Sequence, residues 1–324
     1  MTRLALLATI LILASGCDKA KEIGGVGRNA DAAEPPAGER FDIASRPDVV
    51  FQIFGERDDP RMIPIAALVD GTLKPIKLGA QGWREFDSLY TRSGKEVAIY
   101  HGGQKVGTAK VRQGMWEKAN ALYSLPGCKL LTPLSAVSLE APNEGYTVEY
   151  LASTAKLGNT PAGRPLAKDA AARTARALGH AVGRDEGLSP ARLDSLDFFG
   201  TSIATGASSE PTVIASFIDP GAQGDATADS KAAHVFVIAD RSGADYSPTF
   251  SHAVNGPANS AEYRRYVDHA DFTGDGVSEI VLEAWQYGGA TYLSFLGFRN
   301  GKWEEIFRSR SSWCLDESQQ QRPA

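Results

Sequence analysis

The chain has 324 residues and a formal charge of −5, with 43% hydrophobic and 23% charged side chains. That is the balance of a globular protein, long enough for one large domain or two ordinary ones. Its lysines and arginines are scattered and outnumbered by acids, which excludes a nucleic-acid partner held through phosphate contacts.

The chain opens with Met1, Thr2 and Arg3, a short positive stretch. Residues 4–14 follow as an apolar run interrupted by one Thr, then small Ser15 and Gly16, then Cys17. Such a run is too short for a permanent bilayer span and is read as a secretory signal. Its ending, "LASGC", resembles the lipobox of bacterial lipoprotein precursors, with Ala14 where Leu, Val or Ile is usual. The resemblance implies cleavage before Cys17 and lipidation of its thiol. It also implies a membrane anchor through the lipidated Cys17, with the body in the periplasm or at the cell surface. Asp18 resembles an inner-membrane retention signal, and the choice of membrane stays open.

With Cys17 lipidated, Cys128 and Cys314 remain, a pair that an oxidising compartment would join in a disulfide. Two separate thiols are the alternative. Residues 17–45 are rich in Ala, Gly, Pro, Glu and Asp and poor in large apolar side chains, the composition of a flexible tether.

The elements after the tether predict an α+β fold, mainly antiparallel β. Residues 46–139 read as an N-terminal β domain. "VVFQIFG" begins it, and "MIPIAALV" alternates in the period of a half-buried strand. Asp70-Gly71 turns the chain into "TLKPIKL", and Gly102-Gly103 joins "KEVAIY" to "QKVGTAKV" as a hairpin. Trp83, Phe86, Tyr90 and Trp116 are expected to cover the open ends of this sheet.

Residues 140–315 read as an α+β domain. A strand is expected over 148–154, then an Ala-rich helix over about 166–183. Its stripe at Ala170, Thr174, Leu178 and Val182 recurs every four residues and marks the expected buried face. Ser189-Pro190 predicts an N-cap and first helical position for a second short helix. "PTVIASFI" reads as a strand, and "HVFVIAD" and "YSPTFSH" as a hairpin. "EIVLEAWQY", "TYLSFLGF" and "KWEEIF" form a terminal β-meander joined through Gly288-Gly289 and Asn300-Gly301. Residues 316–324 are a polar tail.

The segment "DFTGDGVSE" precedes that meander. Oxygens of Asp271, Thr273 and Asp275 alternate along it, Gly274 and Gly276 permit a tight curl, the Val277 carbonyl adds an oxygen, and Glu279 closes the set. Calcium takes six to eight such hard oxygens. The span is shorter than an EF-hand loop and a strand follows it. The segment resembles the calcium loops of FG-GAP and VCBS-type repeats, with Thr273 in place of the usual Asp or Asn. The resemblance implies a structural calcium ion on Asp271, Thr273, Asp275, Val277 and Glu279. It covers one copy, whereas a propeller needs several.

Five histidines, His101, His180, His234, His252 and His269, form no HExxH or other spaced metal motif, and GxSxG does not occur. The catalytic and organic-cofactor sets are therefore empty. The expectation is a lipid-anchored envelope protein, a non-enzymatic binding or structural lipoprotein with a calcium loop and an unidentified protein or glycan partner. An envelope hydrolase acting on peptidoglycan or polysaccharide, and an adhesion or assembly module, stay open beside it.

Overall fold

The computed structural model describes residues 42–76, 80–117, 122–123, 132–142, 145–158, 164–223, 230–286 and 291–309. Cys17, Cys128 and Cys314 lie outside them, so the expected lipidation and disulfide fall outside the described residues, as does the polar tail.

Period-two alternation builds the first strands. In β1 (Asp48–Glu56), Val49, Phe51 and Ile53 enter one buried cluster and Val50 enters another on the opposite face. β1 pairs antiparallel with β2 (Arg61–Val69). Asp70 and Gly71, at φ 48° and 67°, then turn the chain into β3 (Thr72–Lys74). Positive φ at both positions matches the twist of the paired strands, which is why Asp-Gly serves there. Helix α1 (Ala80–Phe86) and a π turn (Asp87–Thr91) follow, then β4 (Glu96–His101) and β5 (Gln104–Gln113) around Gly102-Gly103. The two-residue strands β6 (Leu122–Tyr123) and β7 (Thr132–Pro133) pair with each other. β8 (Ser135–Glu140) and β9 (Thr147–Ser153) complete this part.

The pairing order β1-β9-β4-β5-β8-β2, with β2 also paired to β1, closes six antiparallel strands into a barrel, and β3 extends it beside β2. β9 lies beyond the boundary expected at residue 139. It completes the barrel because the edges of β1 and β4 both pair with it. Phe86 and Tyr90 sit in the barrel's interior cluster and Trp116 packs against it, so these aromatics fill the barrel as core. α1 places Phe86 there, and the π turn places Tyr90, whose hydroxyl donates to Pro47 O at 2.7 Å.

Helix α2 (Lys168–Asp185) and α3 (Pro190–Asp194) occupy the expected places, with the Ser189 hydroxyl capping α3 by accepting from Arg192 N. The buried line of α2 is displaced by one residue from the expected stripe. It runs through Ala171, Ala175, Gly179 and Gly183, while Ala170, Thr174, Leu178 and Val182 are half-buried. The reason is close approach: a Cβ on Gly179 would lie 2.1 Å from Phe217 Cε2, so only the smallest side chains fit the contact line.

The helix rests on a sheet of β10 (Asp197–Ile203), β11 (Thr212–Ile218), β12 (Lys231–Ser242) and β13 (Asp245–Pro257), in that order. A second sheet holds β14 (Glu262–Ala270), β15 (Glu279–Gln286), β16 (Thr291–Arg299) and β17 (Lys302–Arg308), the last three being the expected meander.

Alternation now sorts the layers. Val213, Ala215, Phe217, Val235 and Val237 pack with Ala175, Leu188 and Leu193 on the helical side. Ile214, Phe236 and Ile238 pack against Ile280, Leu282, Leu296 and Trp303 of the terminal sheet. The other face of that sheet, through Val281, Leu293, Phe295 and Phe307, packs on Val50, Ile63, Ile65 and Leu151 of the barrel exterior. The order is helix, sheet, sheet, barrel, within one compact unit. With both faces covered, Ala232 to Asp240 of β12 is buried without a break. Mainly antiparallel α+β architecture is thus the observed class.

Candidate functional site

The segment expected to hold calcium links the barrel to the terminal sheet. Asp271 forms a β-bridge with Gly158, and Phe272 is buried in the cluster shared by barrel and sheet. Gly274 and Gly276, at φ 76° and 86°, make the expected curl. Both oxygens of Asp271 accept loop amides, Gly274 N at 2.7 Å and Gly276 N at 3.1 Å. Glu279 reaches back across the loop. Its Oε2 accepts from Phe272 N at 2.8 Å and Thr273 N at 3.3 Å, and its Oε1 accepts from the Thr273 hydroxyl at 2.8 Å. Asp275 Oδ1 accepts from Val277 N at 2.8 Å. The Val277 side chain packs between the two sheets.

Burial pushes the Glu279 carboxyl up to about 7 against the pull of its three hydrogen bonds, and the nearby Asp275 charge adds to the rise. Asp271, Thr273 and Glu279 are therefore brought together, with Asp275 close enough for its charge to be felt. The donor set is all hard oxygen, and no positive side chain contributes at Glu279 among the described residues. This is chemistry that suits calcium. As they stand, the two buried carboxylates face the loop's own amides. Among the described residues, no three carboxylate, imidazole or thiol groups gather as a metal cluster.

A second constellation was only partly visible in the sequence. β14 bulges between Tyr266 and Asp268, which turns the Asp268 carboxylate toward the β4–β5 turn. There His101 Nδ1 lies 3.0 Å from Asp268 Oδ2, and Gly102 N and His269 N donate to Oδ1 at 2.9 and 2.8 Å. Tyr266 OH lies 2.7 Å from His269 Nδ1. Burial raises the Asp268 carboxyl, but the hydrogen bonds and charges of His101 and His269 outweigh it and hold the group below its usual value. Burial, reinforced by the Asp268 charge, pushes the Tyr266 hydroxyl far up. The Asp268 side chain is 2% exposed and the His101 side chain 42%, so a buried carboxylate orients a surface imidazole. A carboxylate–imidazole pair positions a proton but supplies no nucleophile by itself.

Other charged contacts join strands and layers. Arg265 makes a two-pronged contact with Glu149 of β9 at 2.7 Å on each arm and reaches Glu283 at 2.5 Å. Asp240 accepts from Thr212, Thr249 and the Trp303 indole at 2.6, 2.6 and 2.7 Å, tying β12 to β17. Between α2 and the β12–β13 turn lies an open groove of about 380 Å³, bordered by Thr174, Ala177, Leu178, Ala181 and Tyr246. Tyr246 is its one aromatic side chain. His180, on α2, sets its ring edge against Phe217 at 5.6 Å.

Among the described residues no helix is long and apolar enough to cross a membrane. Comparison with protein-family models, with curated proteins and with solved structures gave no match.

Proposed function

We propose that this chain is a lipid-anchored cell-envelope protein whose body is a non-enzymatic binding or structural module. The observation that carries the reading is the apolar run of residues 4–14 ending in "LASGC", followed by a tether poor in large apolar residues. The body adds support. The carboxylates Asp240 and Glu149 each join one layer to the next, and Glu283 meets Arg265 on the neighbouring strand of its own sheet. Mass spectrometry of the mature protein tests the anchor: a diacylglycerol-modified Cys17 is expected, and an N-terminus elsewhere without lipid would overturn it.

Within this reading, calcium orders the loop of residues 271–279. Asp271, Asp275 and Glu279 would hold it, with the Thr273 hydroxyl and Val277 carbonyl as neutral oxygens, and the ion would offset the buried negative charge at Glu279. Calcium is expected to raise the melting midpoint of the wild-type chain and not that of Asp275→Ala. Equal midpoints in calcium and in chelator would remove the ion from the proposal.

The envelope-hydrolase reading finds support in one observation, the His101–Asp268 pair. It predicts that peptidoglycan or polysaccharide turnover disappears in His101→Ala while the fold persists. No turnover by the wild-type chain would end it.

A further inference from the structure

His234 lies on β12, wholly buried, at the seam between the two four-stranded sheets. Its Nδ1 is 2.8 Å from Phe217 O of β11, and its Nε2 is 3.0 Å from Arg264 N of β14, in the other sheet. The partners specify the proton. A carbonyl can only accept, so Nδ1 carries the hydrogen. A backbone amide can only donate, so Nε2 must be bare. The ring is therefore held as one neutral tautomer, and the Nε2 contact is a direct hydrogen bond from one sheet to the other.

The groups around the ring would oppose a second proton. His252 of β13 lies 5.7 Å away, ring centre to ring centre, and its Nε2 is 2.8 Å from Glu262 O. From β14, Tyr263 packs at 5.6 Å, and the positive Arg264 sits beside Glu262, which it binds at 2.7 Å. Glu262 also accepts from Tyr292 of β16, over which Arg308 of β17 is placed. Behind Tyr263 stands the Arg192–Asp219 pair, and Trp285 of β15 stacks on its ring. Glu262, the acid whose charge reaches the ring, is thus already engaged by an arginine and a tyrosine.

We propose that His234 is an acid-released latch between the two sheets. A proton added at Nε2 places N–H against N–H at Arg264, breaks the inter-sheet bond and leaves a buried cation near the positive Arg264 side chain. The seam is closed at neutral pH and opens in acid. Burial already drives His234 down to about 3, with His252 and Arg264 lowering it further and the Phe217 carbonyl pulling the other way. His252 is lowered as well, chiefly by burial. The sign follows from the unfolded value of 6.5. The unfolded chain takes the proton first, so the stability is complete above pH 6.5 and is lost as pH falls toward 3.

The test is urea unfolding of the full chain and of His234→Gln between pH 7 and 4. Gln offers an amide NH2 donor and a carbonyl acceptor and does not titrate. Below the unfolded value, the wild-type folding constant is expected to fall about tenfold more per pH unit than that of the variant. Parallel pH profiles would overturn the latch. Should the variant fail to fold, nitrogen NMR of the wild-type ring decides. A bare Nε2 in the folded chain at pH 5 supports the proposal, and a doubly protonated His234 in a folded chain at that pH refutes it.

Discussion

His101 Nδ1 lies 3.0 Å from Asp268 Oδ2, a contact between residues 167 positions apart that joins the barrel to the terminal sheet. The opposite oxygen receives Gly102 N and His269 N, so one buried carboxylate satisfies two amides and an imidazole. Asp268→Ala strands both amides, and the expected loss is about 2–5 kcal/mol in urea unfolding at pH 7. The Asp268 carboxyl is held below its usual value, so its contribution is present above the unfolded pKa and disappears as pH falls through the folded one. The gap between wild type and Asp268→Ala should accordingly narrow in acid, and a gap that widens would contradict the assignment.

The loop of residues 271–279 is seated on the barrel by two glycines. A Cβ on Gly71 would lie 2.6 Å from Thr273 O, and one on Gly158 would lie 2.6 Å from Asp271 Oδ2. Gly71→Ala and Gly158→Ala are each expected to cost about 1–3 kcal/mol through overpacking. Gly71 adds left-handed strain, at φ +67°. Gly102→Ala is the control, since at φ +60° it meets no atom within 4 Å and should show only the conformational penalty, about 1 kcal/mol. Melting curves check the order, and a control as damaging as Gly71→Ala would count against the contact.

Gly179 sets two effects against each other. In an exposed helix, Gly→Ala gains about 1 kcal/mol. Here the added carbon would meet the Phe217 ring at 2.1 Å, and the ring is fully buried. Sterics should win, giving a net loss of about 1–3 kcal/mol. Combining Gly179→Ala with Phe217→Leu should cost less than the two changes summed, a coupling measurable in a double-mutant cycle.

Trp303 donates its indole N–H to Asp240 at 2.7 Å in a buried site. Trp303→Phe keeps most of the ring but removes one of three donors to that carboxylate. A loss of about 1–3 kcal/mol is expected by denaturation. A neutral result would mean that Thr212 and Thr249 suffice.

Much of the strand inventory was legible because alternation and turn residues act locally. Asn300-Gly301, at φ 51° and 78°, makes the tight turn that the dipeptide predicts. β14 and β10 were not legible. In β14 the charges Arg264, Arg265 and Asp268 hide the alternation, and two of them are balanced by partners distant in sequence, Glu149 for Arg265 and His101 for Asp268. "GTSIATG", residues 200–206, reads locally as a small-residue turn, and its first four residues become the end of β10 by pairing along β11. The helix stripe was misplaced by one residue because periodicity ranks side chains by apolarity, whereas contact with Phe217 selects for absence of volume.

The sequence by itself determined the class of fold, the turns at Asp70-Gly71, Gly102-Gly103 and Asn300-Gly301, the starts of α2 and α3 and the oxygen-rich segment of residues 271–279. These depend on neighbours a few positions apart. The tertiary structure alone decided that β9 closes a barrel, that Asp268 binds His101, and that His234 bridges two sheets as a neutral ring. Each depends on a pairing across many residues, and local propensity carries no information about which distant strand offers the matching edge or the missing hydrogen-bond partner.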